Sequence, residues 1–315
     1  MTILITGATG FIGSHVLRLA VRAGCEVHAI VRENADCWRI SDIAPQVRIH
    51  AGELQDADFV EEAIAACRPS LCIHHAWYSE PGKYLDSTSN LAALDYTIQL
   101  ANILAEYGCR RFAGIGTCFE YEHGFGYLSE RTPANPLTLY AACKHSASLI
   151  LAQLARQSGM EFAWLRLFYQ YGPFEDPRRI VPYVIHTLLK DQPALLSSGE
   201  QNRDFLHVED VASVIWTAAT SNIVGNVNVG SGSPITIAAL ATQIGNIMGK
   251  PDLIRLGAKA KTPYDPPFIV ANTMRLREIG WQPKFDVESG LTHSIEWVRQ
   301  RLTATGITRA AGHSA

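Results

Sequence analysis

Three residues have types and spacing suited to proton transfer at a carbonyl group. Tyr140 and Lys144 lie four residues apart at the start of a predicted helix that runs to about Ser158, so their side chains share one helix face. A lysine beside a tyrosine favours the phenolate, and we expect Lys144 to lower the pKa of Tyr140 toward neutrality. Thr117 ends a predicted strand, where its hydroxyl can donate to a substrate carbonyl. The alternative for Thr117 is a residue that caps a turn.

Three glycines near the start of the chain indicate a nucleotide site. Gly7, Gly10 and Gly13 follow the apolar segment Ile3–Ile5 and open an amphipathic helix over residues 15–23. Glycine lets the chain turn off a strand and aim free helix N–H groups at a pyrophosphate. We therefore predict a dinucleotide cofactor, which this loop also contacts through Thr9, Phe11 and Ile12.

The end of the second predicted strand bears on which dinucleotide is bound. NAD sites usually place an acidic residue about 20 residues past the glycines, where it accepts hydrogen bonds from the ribose. Here Val31 and Arg32 occupy that place. Arg32 can pair with a 2′-phosphate, which favours NADP(H) over NAD(H); the alternative is a solvated charge balanced by Glu33. Further cofactor contacts are predicted at Glu53, Leu54, His75 and Ala76.

The elements that must position these residues alternate regularly. We predict strands at 2–6, 26–31, 46–50, 70–75, 111–115 and 161–168, and helices at 11–23, 56–66, 90–107 and 139–158. This alternation is typical of an α/β protein with a Rossmann-like, doubly wound parallel sheet. Prolines interrupt the pattern from Gly172 onward. The predicted domains are a cofactor-binding domain over 1–172, a smaller substrate-binding lobe over 173–302 with segments returning to the sheet, and a flexible tail over 303–315.

Composition and charge exclude several classes of protein. The 315 residues are 47% hydrophobic and 18% charged, enough for a large core. A net charge of −3 gives no basic field for nucleic acid. No stretch approaches ~18 uninterrupted apolar residues and no leader pattern is present, so we expect no membrane partner and a cytoplasmic location. The seven cysteines form no Cys-x-x-Cys pair, which favours reduced thiols and no metal.

Taken together, these motifs resemble those of a known enzyme family. The chain is similar to the extended short-chain dehydrogenase/reductases that act on nucleotide sugars, over residues 1 to about 300. It looks closest to 4-ketoreductases and epimerases, including synthases of CDP-3,6-dideoxyhexoses. The resemblance rests on Gly7-x-x-Gly10-x-x-Gly13, Thr117, Tyr140-x-x-x-Lys144, Phe168–Pro173 and Arg203–Val208. It implies that Tyr140 is the acid/base, that Lys144 binds the nicotinamide ribose and tunes Tyr140, and that Thr117 orients the sugar.

The resemblance also implies substrate contacts. Arg203 would contact the diphosphate and Asn90 would line the active-site wall, while Trp77 lies where relatives line the nicotinamide pocket. Tyr169 replaces an Asn that relatives use near the phosphates. Arg178 and Arg179 open a predicted helix and meet a diphosphate, or else form an exposed basic pair. The candidate substrate-binding residues are Trp77, Asn90, Cys118, Phe119, Tyr169, Arg178, Arg179 and Arg203.

Residues that differ from the family pattern limit which reactions we expect this chain to catalyse. Dehydratases of the family follow the threonine with Asp-Glu, whereas Cys118 and Phe119 stand here, so a 4,6-dehydratase is not expected. The favoured interpretation of Cys118 itself is a small buried hydrophobe. Glu120 and His123 are additional acid/base candidates, in a loop that we expect to be solvated.

The predicted function is NADPH-dependent reduction of a nucleotide-activated 4-keto-6-deoxy sugar to the 4-hydroxy sugar, in deoxysugar biosynthesis. The first alternative is a nucleotide-sugar 4-epimerase that retains NAD, and the second is a non-catalytic NADP-binding sensor. Predicted helices 90–107 and 139–158 carry apolar residues on more than one face. We therefore expect a homodimer with a four-helix interface.

Overall fold

The computed structural model describes residues 1–260 and 265–304 of the chain. Its strands are β1 (Thr2–Thr6), β2 (Glu26–Val31), β3 (Arg48–Ala51), β4 (Leu71–His74), β5 (Arg111–Thr117), β6 (Tyr127–Leu128), β7 (Glu161–Leu167), β8 (Tyr169–Tyr171), β9 (Ala194–Leu195), β10 (Asn202–His207), β11 (Gly225–Val229), β12 (Pro234–Thr236), β13 (Ile254–Arg255) and β14 (Phe268–Ala271). Its helices are α1 (Phe11–Arg22), α2 (Ala57–Cys67), α3 (Ser89–Glu106), α4 (Leu139–Ser158), α5 (Ile180–Leu189), α6 (Val208–Thr220), α7 (Ile237–Ile247), α8 (Met274–Glu278) and α9 (Val287–Ala304). Among these helices, none combines the length and the apolar character that crossing a membrane requires.

Seven parallel strands form the larger sheet, in the order β11-β7-β5-β4-β1-β2-β3. Helices α1 and α6 pack on one face, and α2, α3 and α4 pack on the other. The order of the strands reverses between β1 and β4, and ligands of such sheets bind beyond the carboxyl ends of the strands at that reversal. The Rossmann-like, doubly wound fold predicted from the sequence is thus confirmed.

Local capping explains where the helices that border the site begin. The side chain of Asp56 accepts a hydrogen bond from the Phe59 N–H at the start of α2, and Thr138 caps α4 in the same way. Strand β5 continues to Thr117, two residues beyond the predicted end, because it is buried along its whole length and pairs with strands on both sides. Thr117 therefore lies at the carboxyl edge of the sheet.

A second sheet organises the smaller C-terminal lobe. Its strands run β12-β10-β14-β6, with β8 paired to β10, and α5, α7 and α9 share a hydrophobic core with it. Strand β11 pairs with β7 and α6 packs on α1, so this part of the predicted lobe returns to the larger sheet. Helix α9 includes the first two residues of the predicted tail, and 305–315 lie outside the described residues.

Candidate active site

The glycine loop joins β1 to α1 at the reversal of strand order. Gly7 has a φ of +67°, a backbone conformation that favours glycine, and a Cβ there would lie 2.7 Å from the Ala76 nitrogen. A Cβ on Gly13 would overlap the carbonyl oxygen of Gly7. Gly10 begins α1 without a side-chain cap, and the first helical residues are Phe11 and Ile12. The loop thus fits a pyrophosphate, because its backbone lies close by and the first turn of the helix directs N–H groups outward.

Three other predicted cofactor residues, Arg32, Glu53 and Leu54, follow the carboxyl ends of β2 and β3. Arg32 is exposed directly after β2, and no carboxylate occupies its place or that of the buried Val31. Burial raises the pKa of Tyr96. The positive charge of Arg32 acts to lower this pKa and the negative charge of Glu53 acts to raise it, so both charged groups lie near the Tyr96 phenol. Leu54 is instead buried in the core beneath α2 and α3.

Two residues predicted to contact the cofactor, Thr9 and His75, lie within and beside the glycine loop. The carbonyl of Thr9 accepts a hydrogen bond of 3.4 Å from Arg39, a residue that no sequence motif indicated. His75 follows β4 next to Ala76. Burial, together with the charge of Lys144, lowers the pKa of His75 to about 3, and its Nε2 is buried without a partner among the described residues. His75 is therefore a neutral imidazole with a free ring nitrogen beside the predicted cofactor site.

Tyr140 and Lys144 lie in the first two turns of α4, as predicted. The N–H of Tyr140 donates to the carbonyl of Leu85 at 2.8 Å, and its ring meets the edge of Tyr84 at 4.8 Å. Lys144 is buried, and its Nζ donates to the carbonyl of Ile115 on β5 at 2.6 Å. Two turns of one helix thus bring a phenol and an ammonium group to the carboxyl edge of the sheet.

The electrostatics of Tyr140 differ from the sequence-based expectation. Burial raises the pKa of Tyr140 above its ordinary value of 10, although a hydrogen bond with Thr117 lowers it in part. The predicted lowering toward neutrality by Lys144 is therefore wrong for this arrangement. The reason is that Nζ of Lys144 is directed at the Ile115 carbonyl and lies 3.7 Å from the centre of the Trp77 ring. Tyr140 is a phenol with a proton to give, held next to the Thr117 hydroxyl.

The pKa of Lys144 is also shifted, toward neutral pH. Burial lowers its pKa to about 7, and the negative charge of Glu120 opposes this shift. A buried cation is costly unless an anion compensates it. The proton on Lys144 is thus exchangeable near neutrality.

Glu120 is a central residue of the site that sequence reasoning misplaced. It is fully buried rather than solvated, and its carboxylate accepts hydrogen bonds from the Thr117 N–H at 2.9 Å, from Trp164 Nε1 and from Arg166 Nε. Burial acts to raise the pKa of Glu120, but His145, Arg166 and the Thr117 N–H outweigh it, so the net pKa lies below 4.5. Glu120 fixes the backbone at Thr117 and cannot act as an exposed acid.

Asn90 and Trp77 form one hydrogen-bonded unit next to Lys144. The amide oxygen of Asn90 accepts from Trp77 Nε1 at 2.8 Å, and its amide nitrogen donates to the carbonyls of Tyr84 and Ser87. Asn90 is fully buried. Its side chain holds the Trp77 ring against Lys144; the direct substrate contacts of Asn90 and Trp77 stay predictions.

The residues after Thr117 are apolar or buried. Cys118 is 1% exposed and lies in a small core cluster, so the structure supports a packing role and not the predicted substrate contact. Phe119 is half-buried and meets the edges of His123 and Tyr169 at ring distances of 6.1 and 6.4 Å. His123 hydrogen-bonds to the Cys118 carbonyl and, like Glu120, is not a freely solvated loop residue. The rings of Phe119 and Tyr169 thus pack against each other close to the predicted catalytic residue Thr117.

The three candidate phosphate-binding arginines differ in how strongly protein groups already bind their guanidinium groups. Arg203 is 2% exposed, pairs with Asp265 and donates to the Pro266 carbonyl, so a diphosphate would compete with protein groups. Arg178 is exposed but forms a two-pronged pair with Asp176. Arg179 lies over the ring of Tyr84, 5.5 Å from its centre, and Tyr84 in turn packs against Tyr140. Diphosphate binding by each of them stays a prediction.

The fold and its glycine loop define an oxidoreductase of the extended short-chain dehydrogenase/reductase class. The family described as "NAD dependent epimerase/dehydratase family" matches residues 3–230, and the chain belongs to that family. Among known proteins it is similar to the CDP-abequose synthase of Salmonella typhimurium, with 25% identity over 308 residues that cover 93% of this chain and 97% of that protein.

Further relatives perform other reactions on nucleotide sugars. The dTDP-glucose 4,6-dehydratase of Streptomyces niveus is 25% identical over 316 residues, covering 95% of this chain and 93% of that protein. The structure of the UDP-glucose 4-epimerase of Thermus thermophilus in complex with NAD matches with a TM-score of 0.84 and 25% identity, over 95% of this chain and 99% of that chain. The chain is thus an enzyme of the nucleotide-sugar epimerase/dehydratase group.

Proposed function

We propose that the protein reduces a nucleotide-activated 4-keto-6-deoxy sugar to the 4-hydroxy sugar with NADPH. The observation that carries the proposal is that the hydroxyls of Thr117 and Tyr140 lie near each other at the carboxyl edge of the sheet. Cys118 and Phe119 follow Thr117 in place of a carboxylate pair. Two hydroxyl donors at one point suit a carbonyl oxygen that becomes an alkoxide. The similarity to a CDP-abequose synthase supports a nucleotide-activated sugar as the class of substrate.

Each side chain of the site has a separate role in this proposed reduction. When bound, the nicotinamide supplies hydride to the keto carbon. Thr117 donates to the carbonyl oxygen, and Tyr140 gives its proton to that oxygen as negative charge develops. Lys144 would hold the nicotinamide ribose, and its pKa of about 7 leaves it only partly protonated at neutral pH. Glu120 keeps Thr117 in place through the backbone N–H.

The surroundings of Thr117 disfavour the dehydratase reaction of other relatives. Removal of water from a sugar needs one group to take a proton and another to give one. Burial raises the pKa of the Cys118 thiol to about 12, and Phe119 has no acidic group. The nearest carboxylate along the chain, Glu120, is committed to the buried Arg166. Proton transfer at the site therefore falls to Tyr140.

A 4-epimerase that retains NAD is the second candidate. It is favoured by the similarity to the Thermus thermophilus UDP-glucose 4-epimerase, which covers nearly the whole of both chains. Such a reaction oxidises and re-reduces the same carbon, so it consumes no cofactor. The exposed Arg32 and the absence of a carboxylate at that position of the described chain support the reductase instead.

A substrate panel separates the candidates. We expect one NADPH to be oxidised for each 4-keto sugar reduced, measured by nicotinamide absorbance with UDP-, dTDP-, CDP- and GDP-4-keto-6-deoxy sugars. Interconversion of two 4-hydroxy sugars without net NADPH consumption would assign the epimerase. Cofactor binding with neither reaction would favour the non-catalytic sensor.

The cofactor preference is expected to depend on Arg32. NADPH should bind more tightly than NADH, and Arg32→Ala should remove about 1.5 to 3 kcal/mol of that preference, as expected for a charged hydrogen bond. Calorimetric titration with both cofactors measures it. Arg110→Ala is the control, because Arg110 is also exposed but lies at the opposite, amino end of β5. Equal affinities of the unmodified protein for NADH and NADPH would contradict the assignment to Arg32.

We also propose a homodimer that buries the outer faces of α3 and α4. These two helices pack against each other, yet Leu91 on α3 and Leu149 on α4 remain 53% and 56% exposed. Light scattering at micromolar concentration is expected to give a dimer, and Leu149→Glu a monomer, because a buried charge without a partner opposes association. Leu195→Glu, at an exposed position of β9, is the matched control. A monomeric wild type would refute the interface.

A further inference from the structure

Two histidines and a cysteine meet at the edge of the larger sheet, away from the glycine loop and Tyr140. His28 lies on β2, His50 on the edge strand β3, and Cys67 is the last residue of α2. In the described part of the chain, one ligand atom from each lies within 4.8 Å of the other two. His28 and Cys67 are buried, while His50 is partly exposed. A small ion can therefore reach the cluster from the side of His50.

The two imidazoles already direct nitrogen atoms at one another. Nδ1 of His28 and Nε2 of His50 are 2.9 Å apart, and the rings are stacked at 5.2 Å. In a tetrahedral site with Zn–N bonds of 2.0–2.1 Å, two nitrogens lie about 3.3 Å apart. A small increase in the distance between these two nitrogens thus makes room for an ion. A rotation of the Cys67 side chain then brings its sulfur in as the third ligand.

Glu26 is placed near the ring nitrogen that would make the outer hydrogen bond such sites commonly have. Its Oε1 lies 3.6 Å from Nε2 of His28, the ring nitrogen that points away from His50. Histidines that bind a metal usually donate their other N–H to a carboxylate, which fixes the tautomer. Arg48 pairs with the same oxygen at 3.0 Å. Because the Arg48 side chain is largely exposed, it can move into solvent and leave this oxygen to His28.

We propose that His28, His50 and Cys67 bind a divalent cation of the zinc type, with water as the fourth ligand. Two imidazoles and a thiolate are ligands that zinc prefers, and carboxylate-preferring cations such as Mg²⁺ are not suited to them. The site is structural. It ties the edge strand β3 to β2 and to the carboxyl end of α2, and it is separate from the proposed reduction.

Binding is balanced by the release of one proton. If Nδ1 of His28 carries the proton between the two imidazoles, that proton moves to Nε2 of His28, facing Glu26; if Nε2 of His50 carries it, it moves to Nδ1 of His50. In both cases each histidine stays neutral. The thiol of Cys67 loses its proton to solvent and becomes the thiolate ligand. No oxidation or reduction is involved.

Cobalt(II) titration of the untagged, chelator-treated protein tests the proposal. We expect one Co²⁺ per chain with a thiolate-to-cobalt charge-transfer band, and displacement of the cobalt by Zn²⁺. Cys67→Ser should lose the band, and His50→Gln should weaken binding by more than about 100-fold, since a ligand matters at least as much as an outer partner. Glu26→Gln should weaken binding by about 10- to 100-fold while keeping the band. Cys25→Ser is the matched control, because Cys25 lies outside the cluster.

Thermal unfolding gives a readout independent of the spectrum. Zn²⁺ should raise the Tm of the wild type and of Cys25→Ser, and it should leave that of His50→Gln unchanged. His50 is partly exposed on an edge strand, so this variant is expected to fold. Binding of less than one Co²⁺ per chain, or a band unchanged in Cys67→Ser, would overturn the proposal.

Discussion

Tyr140→Phe is expected to lower kcat by about 10²-fold or more while NADPH and nucleotide sugar still bind. The change removes one hydroxyl and keeps the ring that packs against Tyr84. Because burial raises the pKa of Tyr140, the residue holds its proton across neutral pH, as the proposed acid must. Stopped-flow absorbance of NADPH measures the chemical step, and calorimetric titration measures binding.

The control for this variant is the same substitution far from the site. Tyr107→Phe removes a surface hydroxyl that donates to Glu61 at 2.9 Å, and it should leave kcat unchanged. Full turnover by Tyr140→Phe would show that another group donates the proton. Loss of NADPH binding in that variant would instead indicate a damaged site.

Glu120→Gln is expected to lower the free energy of unfolding by about 3 to 5 kcal/mol, as for a buried ion pair that loses one partner. Glu120 and Arg166 are both buried and bonded at 2.8 Å, and the substitution leaves the guanidinium of Arg166 without its anion. Urea unfolding measures the change. Glu122→Gln, at a partly exposed carboxylate bonded to Asn135, should change the free energy by less than about 0.5 kcal/mol.

The buried ion pair of Glu120 and Arg166 also leads us to expect that stability depends on pH. The pKa of Glu120 in the folded protein lies below its ordinary value of 4.5. Its contribution is therefore fully present above about pH 4.5 and is lost as the pH falls through the folded pKa. The difference in unfolding free energy between wild type and Glu120→Gln should shrink over that acidic range. A difference that does not change with pH would show that Glu120 does not act through its charge.

Glu120 also illustrates a signal that the sequence contained. Thr117 and Glu120 form the Thr-x-x-Glu spacing of a capping box, in which the two side chains bond each other's backbone N–H groups. The structure shows this box around the short turn Cys118–Glu120. A loop that begins with a capping box is ordered, so the expectation of a solvated loop was wrong for a reason that is visible in the sequence.

The prediction for Tyr140 failed for a reason that the sequence does not contain. Helical spacing placed Tyr140 and Lys144 on one face, and the structure agrees. The pKa of a group depends on its burial and on every charge around it, and these come from distant segments. Here Trp77 and Ile115 hold the Lys144 ammonium, and burial dominates the pKa of Tyr140.

The sequence by itself determined what short-range geometry controls: the Rossmann-like alternation, the glycine loop from Gly7 to Gly13, and the helical pairing of Tyr140 with Lys144. Each is readable because it depends on the period of a helix or strand and on the freedom of glycine within a few residues. Only the tertiary structure decided the rest. It buried Glu120 against Arg166, whose positions are 46 residues apart, and it brought His28, His50 and Cys67 together from three separate elements. Such contacts depend on packing across the sheet, which no local pattern specifies.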